Sequence, residues 1–516
     1  MTDATRPTAP GPAAAVVAGI VAGGIGVAVS ELLAGILAGA PSLILSIGSF
    51  IINLQPPGAK QFVVDLFGTA DKLALNIAVI IVALGLAAGL GLVARRYWWP
   101  GGAGFVAIGV LALYAALQDP LNDPLLAVVS VALAVGIAIF VLRRLLDLAA
   151  PREAKTARML DFDRRRFLGT TIVLAGGAVV GGTVGRLLLE QRATEVANVP
   201  PVPEPGSTAP PPPAGSSLDV PGIAPIVTPN DRFYRIDTSL LTPRLNASSW
   251  TLEVNGMVDH PFTMNYQELL DMPLIEQYVT IACVSNEVGG GLVGNAKWRG
   301  ARLADVLDRA GVQDGATQIV GRAYDGFTVG FPTSWLDNPD REAMVAVAMN
   351  DEPLPPEHGY PARLIVPGLY GYVSATKWLT NIELTTLEAF DAYWVPKGWA
   401  KEAPILTQSR IDVPKNGAGG LSAGTLPVAG VAWAPDRGIS KVEVQVDDGH
   451  WVEAEMSNPI SDATWVQWVY RWNASAGRHT LAVRATDGNG DAQTAERTGA
   501  APDGARGYHT IEVSVS

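Results

Sequence analysis

The sequence predicts three structural classes in one chain: an α-helical transmembrane bundle, then an α+β domain, then an all-β sandwich. Three observations carry this. Apolar residues make up 48% of the 516 positions, and they crowd the first 190 or so in runs of membrane length. The middle mixes helical and strand-like periodicities. After Ser409 short strand-like runs alternate with Asp-Gly turns. The length itself suggests about three domains at roughly 100–200 residues each.

Residues 1–12 are small, polar and proline-bearing, and they read as a disordered N-terminus. A membrane span needs about 20 apolar residues. Four stretches reach or approach that at 13–37, 73–93, 125–142 and 167–188, and a shorter one lies at 103–117. Residues 41–54 are apolar but brief and open on Pro41, so they read as interfacial or re-entrant. The chain thus divides into a four-span bundle at 13–150 and a basic loop with a fifth span at 151–192.

Orientation follows from Lys and Arg near the span ends. Arg95 and Arg96 follow the second span, and Arg143, Arg144, Arg152, Lys155, Arg158 and Arg164 to Arg166 fill the fourth loop. Both loops are expected in the cytoplasm, which places everything after residue 188 outside the cell membrane. The loop with Asp119 and Asp123 has no basic residue and falls on the opposite side. Arg164-Arg165-Arg166-Phe167-Leu168 before an apolar run also resembles a twin-arginine export signal; an ordinary positive-inside flank reads equally well. All five histidines lie at residue 260 or later, so no span can hold a bis-histidine haem. Glu31 lies inside the first span, where a carboxyl is costly. Either it has a function there, or it pairs within the bundle or is neutralised by protonation.

Residues 193–226, with Pro210-Pro211-Pro212-Pro213, suit an extended tether. Across 227–405 the pattern is mixed: a strand from Trp250 into a turn at Gly256, a short helix at 265–272, and strands near 318–322 and 362–366. A second helix has Leu303, Val306, Leu307 and Ala310 at helical spacing with Gly311 as its stop. Across 406–516, strand-like segments at 428–434, 442–446, 464–472, 479–485 and 508–515 are separated by turns such as Asp448-Gly449 and Asp487-Gly488-Asn489-Gly490, the pattern of a small sandwich.

Cys283 is the single cysteine. It ends an apolar, β-branched run (Val279-Thr280-Ile281-Ala282) and precedes Asn286, Glu287 and three glycines, so a buried strand delivers a thiol to a glycine-shaped loop. Such a thiolate is a candidate metal ligand or nucleophile, and a small core residue is the other reading. One cysteine excludes an internal disulfide, a four-cysteine zinc or iron–sulfur site and a CxxCH haem. A net charge of −12 argues against a nucleic-acid partner.

Four blocks in order resemble the sulfite oxidase family of molybdenum–molybdopterin enzymes. They are Thr228-Pro229-Asn230-Asp231-Arg232-Phe233-Tyr234; the cysteine stretch through Trp298-Arg299-Gly300; His358-Gly359-Tyr360-Pro361-Ala362-Arg363 running on to Ser374-Ala375-Thr376-Lys377-Trp378; and Gly430-Val431-Ala432-Trp433 through Val442-Glu443-Val444. The resemblance implies that 227–405 is the molybdopterin domain and 406–516 an immunoglobulin-like domain of the dimerisation type, with a homodimer as one open state. It implies that Cys283 is the thiolate on molybdenum and hence catalytic. It puts His358 and Arg363 on the pterin and its phosphate, Asp231, Phe233 and Tyr234 along the cofactor, and Ser374, Ala375, Thr376 and Lys377 at the phosphate end.

The departures bear on substrate. Alignment puts Ile236 where the family has an anion-binding arginine, Thr238 at a histidine, and Trp399 at the active-site tyrosine five residues beyond Trp394. The expected function is therefore two-electron oxygen-atom transfer on a substrate other than sulfite, outside the membrane, with Arg235 and Lys397 as cations able to replace the missing one. Reduction of an S-oxide or N-oxide, as in the related periplasmic methionine sulfoxide reductase subunit, is the alternative. A degenerate membrane-anchored binding or assembly module is the non-enzyme reading, and transport through the bundle rests on Glu31 alone. With no haem or iron–sulfur site of its own, the chain is expected to exchange electrons with a redox protein or a membrane quinone.

Overall fold

Apolar length and small-residue content shape the described stretches before residue 195 into helices. The computed structural model describes residues 9–55, 71–150, 157–194, 199–338 and 341–516. The start of the expected disordered N-terminus (1–8), Arg152 and Lys155 of the basic loop, and tether residues 195–198 lie outside the described residues. Contacts divide the chain into two units: Met1–Glu195 with Thr238–Arg244, and Val196–Asp237 with Leu245–Ser516.

In the first unit, helices α1 (Pro12–Ile36), α2 (Leu43–Leu54), α3 (Asp71–Ala94), α4 (Trp98–Leu117), α5 (Pro124–Ala149) and α6 (Ala157–Thr194) follow one another. Five are long and apolar enough to cross a membrane, and α2 is not; its 12 residues rise about 18 Å against a hydrocarbon core of about 30 Å. The third span is longer than the sequence suggested: α4 starts five residues earlier, with Pro100 in its first turn, where a missing N–H costs nothing. α1 packs against α3, α5 and α6. Glycine makes the contacts close: a Cβ on Gly19 would meet the Ala87 carbonyl, and one on Gly35 the Gly185 carbonyl. Small residues at helix crossings are how apolar helices gain packing in a medium as apolar as themselves. Ile81, Val82, Val110, Ile172 and Val173 point outward. Residues 238–244 belong to this unit, with the Lys72 ammonium donating to the Ser239 carbonyl at 2.7 Å and Leu240 against Gly48.

The second unit holds two β-rich parts. The first has strands β1 (Thr251–Gly256), β2 (Phe262–Asn265), β3 (Leu274–Ala282), β4 (Val293–Arg302), β5 (Gln318–Ala323), β6 (Thr328–Pro332), β7 (Met344–Met349), β8 (Glu352–Pro353), β9 (Arg363–Ile365) and β10 (Leu379–Thr385). They form one sheet ordered β2-β1-β10-β5-β6 and another ordered β3-β4-β7-β8 with β9 beside β7. Only β1 with β10 is parallel among these described pairs. Helix α7 (Tyr266–Leu270) begins with a capping box, Asn265 and Glu268 satisfying each other's amides. Helix α8 (Leu303–Ala310) ends as expected at Gly311, whose φ is +67°. A four-residue helix, α9 (Gly371–Ser374), follows β9.

Strands β11 (Gln408–Val413), β12 (Gly424–Trp433), β13 (Ile439–Val446), β14 (Val452–Glu453), β15 (Glu455–Met456), β16 (Val466–Ala474), β17 (Gly477–Asp487) and β18 (His509–Val515) complete the chain. They make two antiparallel four-stranded sheets, β11-β12-β16-β15 and β14-β13-β17-β18, over a core of Val428, Val442, Val444, Trp468, Leu481 and Val483. β11, β14 and β15 were not foreseen. Val431, Trp433 and Trp465 turn instead into the core of the first part, so the sandwich and the α+β part share apolar burial.

Candidate active site

Strand β3 ends one residue before Cys283, and its register sets the cysteine. Every position from Val279 to Val284 carries an apolar, β-branched or small side chain, and all of them are buried. The Cys283 amide donates to the Leu292 carbonyl at 2.9 Å, and the Asn286 amide donates back to the Cys283 carbonyl at 3.0 Å. Asn286 then closes the loop, its Oδ1 accepting from the Leu292 amide at 2.7 Å. Gly289 needs to be glycine: φ is +80°, and a Cβ would meet the His509 ring. Ser285 Oγ lies 2.9 Å from the sulfur.

Around this loop stands an aromatic and cationic shell. Phe233 stacks on Tyr234 at 5.3 Å and meets Trp298 and His358 edge-on; its ring fills the space over Gly294. Tyr234 is within electrostatic reach of both Cys283 and Arg363, and burial foremost, then the Cys283 sulfur, pushes its hydroxyl above the usual phenol range. Arg363 is 3% exposed. Its Nη1 donates to the His358 carbonyl at 2.9 Å and its guanidinium lies over Trp298 at 5.0 Å. Burial lowers its pKa to about 10. Among the described residues no carboxylate pairs with it, and its Nε is left without a partner.

His358 donates from Nε2 to the Asn230 carbonyl at 3.0 Å, and burial, with the nearby Arg363 charge, lowers its pKa to about 4. The ring is therefore neutral near pH 7, with Nδ1 as an acceptor. Lys377 donates to Asp237 at 3.1 Å and to the Glu357 carbonyl at 2.9 Å; burial brings its pKa to about 8. Gly359, at φ +114°, lets Arg363 and Lys377 close on the same backbone. Thr376 Oγ1 is fully buried and unpartnered. Asp325 faces Asp237 and Lys377, and burial raises its pKa to about 6.

Phe233, Tyr234, Cys283, His358, Arg363, Thr376 and Lys377 thus share one neighbourhood. The Ser374 hydroxyl is spent inside the turn, on the Tyr370 carbonyl at 3.0 Å, and the Ala375 amide donates to the Gly371 carbonyl. Asp231 is exposed; its neighbour Asn230 carries the contacts, to His358 and, through its side chain, to Asn350 at 2.8 Å. The sequence reading also missed Tyr370, which is 3% exposed and feels the Cys283 sulfur. Its place between Gly368 and Gly371, just before the 374–377 turn, was the available signal. Tyr372 stands next to it, against Trp399 at 5.8 Å, and Trp399 meets Trp394 at 6.4 Å.

Residues 239–394 match the family model described as oxidoreductase molybdopterin binding domain. An uncharacterized oxidoreductase of Bacillus subtilis, YuiH, is 35% identical over 152 residues, which are 30% of this chain and 73% of that protein. The chain belongs to the sulfite oxidase family of molybdopterin oxidoreductases. Within that family, mitochondrial sulfite oxidase of Drosophila melanogaster is 32% identical over 43% of this chain and 41% of its own length. Nitrate reductase [NADH] 1 of Oryza sativa is 33% identical over 29% of this chain and 19% of its own. The chain thus spans about half or less of the length of these sulfite oxidases and nitrate reductases. The sulfane dehydrogenase SoxCD structure from Paracoccus pantotrophus aligns over 58% of this chain and 82% of its own at 22% identity, with a TM-score of 0.49.

The shell fits the family's molybdopterin by its own chemistry. A buried guanidinium without a counter-charge costs folding free energy, and an anionic group beside it removes that cost. Among the described residues no cluster of three or more His, Cys, Asp or Glu could hold a metal.

Proposed function

We propose that this chain is a membrane-anchored molybdenum–molybdopterin oxidoreductase that performs two-electron oxygen-atom transfer on a neutral organic substrate, with its catalytic unit outside the cell membrane. The observation that carries the reading is the buried Arg363, without a carboxylate partner among the described residues, beside Tyr234, which in turn feels the Cys283 sulfur. Cys283 would ligate the metal. Arg363 and Lys377 would hold the anionic end of the pterin, with His358, Phe233, Tyr234 and the 374–377 turn along it. When bound, the molybdenum centre supplies the two-electron redox change and the exchangeable oxygen. The protein's share is binding, orientation and exclusion of water. Tyr234 and Tyr370 keep their protons, because burial holds both hydroxyls above the phenol range, and a neutral hydroxyl can donate to charge that develops on a reacting oxygen.

The substrate wall supports a neutral molecule. Ile236 is 39% exposed and carries no charge. Arg235 pairs with Asp237 at 3.1 Å, and Lys397 lies over the Tyr393 ring at 4.8 Å. Tyr372, Trp394 and Trp399 contribute apolar faces. The same wall suits a neutral S-oxide or N-oxide, which keeps the reductive direction as a second reading. Basic loops after α3 and α5 support the outward placement of the catalytic unit, and protease added to intact spheroplasts should digest it. The absence of haem and iron–sulfur centres, and the sandwich as an immunoglobulin-like dimerisation domain, belong to the same proposal.

Metal analysis and assay of Cys283→Ser test the reading. The wild-type chain, made in a molybdenum-replete host, should carry about one molybdenum per chain on its single thiolate. The variant should lose turnover by several orders of magnitude. Turnover retained in Cys283→Ser would overturn the assignment.

A further inference from the structure

The Asn286 amide that donates to the Cys283 carbonyl at 3.0 Å closes a turn, with Val284 and Ser285 at its two middle positions. The loop that follows is anchored from both sides. Asn286 Oδ1 accepts from the Leu292 amide at 2.7 Å, and Arg410 donates to the Gly290 carbonyl at 2.9 Å. With the backbone of Ser285 held in this way, one torsion decides where its hydroxyl goes. It returns to the first residue of the turn, and Ser285 Oγ lies 2.9 Å from Cys283 Sγ. Among the described residues this hydroxyl has no other hydrogen-bond partner, and neither has the sulfur. Tyr234 and Tyr370 come only within electrostatic reach of it.

We propose that Ser285 is a positioning residue for the chemistry assigned to this site: it donates a hydrogen bond to the Cys283 thiolate and so sets how much electron density that sulfur gives to a bound metal. The inference rests on Cys283 being the metal ligand. In the free thiol either atom can donate. A thiolate on a metal has lost its proton and can only accept, so the hydroxyl is then the donor. A hydrogen bond donated to a ligand sulfur draws charge away from the metal and favours its reduced state, which is how such bonds tune the potentials of metal–sulfur centres. The bonds that hold the turn come from the backbone and from the Asn286 and Arg410 side chains. An alanine at 285 therefore removes the donor and leaves the turn in place.

The test uses the full-length protein from a molybdenum-replete host, as wild type, Ser285→Ala and Ser285→Thr. Molybdenum content and melting temperature are measured on each, with the one-electron potential of the bound molybdenum followed by electron paramagnetic resonance. Ser285→Ala is expected to keep its metal and its melting temperature, and to lower the potential by about tenfold in the one-electron equilibrium constant, which is about 59 mV. Ser285→Thr, which restores a hydroxyl, should return the potential to the wild-type value. In metal-free protein the S–H stretching band belongs to Cys283 alone, the single cysteine of the chain, and it should move in Ser285→Ala but not in Ser285→Thr. An unchanged potential in fully loaded Ser285→Ala, or equal shifts in the alanine and threonine variants, would overturn this inference and leave the oxidoreductase reading standing. An S–H band that does not move in Ser285→Ala would overturn it even where that variant fails to load metal. Well-folded wild-type protein without molybdenum would overturn both.

Discussion

The amide of Trp465, in the sandwich, donates to the Thr280 hydroxyl at 2.8 Å, and Thr280 lies three residues before Cys283. The Thr280 amide donates in turn to the Ala463 carbonyl at 2.9 Å, and the Trp465 indole reaches the Ile226 carbonyl at 2.8 Å. The far side of the cysteine loop is held as well, by Arg410 of β11 donating to the Gly290 carbonyl at 2.9 Å and by His509 against Gly289. The sandwich therefore braces the strand and the loop that present the thiol.

Thr280→Val keeps the side-chain shape but leaves the buried Trp465 amide unpaired. The expected loss is about 1–3 kcal/mol of stability, together with lower molybdenum retention. Thermal unfolding and metal content of the same preparation check it; an unchanged melting temperature would show that the brace is dispensable.

Much of this was legible in local pattern. The spans follow from apolar runs, α8 and its Gly311 stop from spacing, and the thiol from its place at the end of a β-branched run. What the pattern hid was of two kinds. The apolar run placed the third span at 103–117, whereas α4 begins at Trp98 with Pro100 in its first turn. The other kind is long-range: nothing near Asn230 announces that its carbonyl accepts a hydrogen bond from the His358 ring 128 residues away, and nothing around Trp465, just before β16, announces that its amide binds Thr280 of β3. Tyr370 lies between the quoted parts of its block, and only its burial beside the Cys283 sulfur marks it.

Arg363 gives two effects of opposite sign. Replacing it with methionine removes a buried charge that has no carboxylate partner, so the cofactor-free protein should gain stability, on the order of 1 kcal/mol. The same change removes the planar donor set for the anionic end of the pterin, so molybdenum content should fall at least tenfold. Melting temperature of apo-protein and metal content of cells grown with molybdenum give the two readouts. A variant destabilised when apo, or fully loaded when not, contradicts the role assigned to the guanidinium.

Stability should fall in mild acid. His358 and His509 both have pKa values lowered to about 4 by burial, against an ordinary value near 6.5. The unfolded chain takes up protons below about pH 6.5 that the folded state refuses, so stability is complete above that pH and is lost as pH falls toward 4. For His358 the full loss is about 3 kcal/mol, at about 1.4 kcal/mol per pKa unit. His509 adds to it, since its Nδ1 accepts from the Ile411 amide at 2.9 Å and cannot do so when protonated. Asp325 works the other way, with its pKa raised to about 6, and offsets part of the loss between about pH 6 and 4. Melting temperatures from pH 7.5 to 4.5 should decline, and His509→Gln should decline less steeply; parallel profiles would exclude His509 as a contributor.

The last prediction concerns substrate charge. Arg235 is already engaged by Asp237, and Lys397 rests on Tyr393, so, on the substrate position proposed for Ile236 and Trp399, a dianion would find neither cation waiting for it. Sulfite should therefore be a poor substrate for the wild-type protein. Ile236→Arg supplies a guanidinium at the family's anion-binding position, and Trp399→Tyr supplies the hydroxyl at the tyrosine position; a charge-assisted contact of about 1.5–3 kcal/mol corresponds to roughly 10–150-fold in kcat/KM. The double variant should gain sulfite turnover in that range, mainly through KM, while turnover of a neutral S-oxide falls. Sulfite turnover already high in the wild type, or unchanged in the double variant, would mean that the anion is read from elsewhere in the wall.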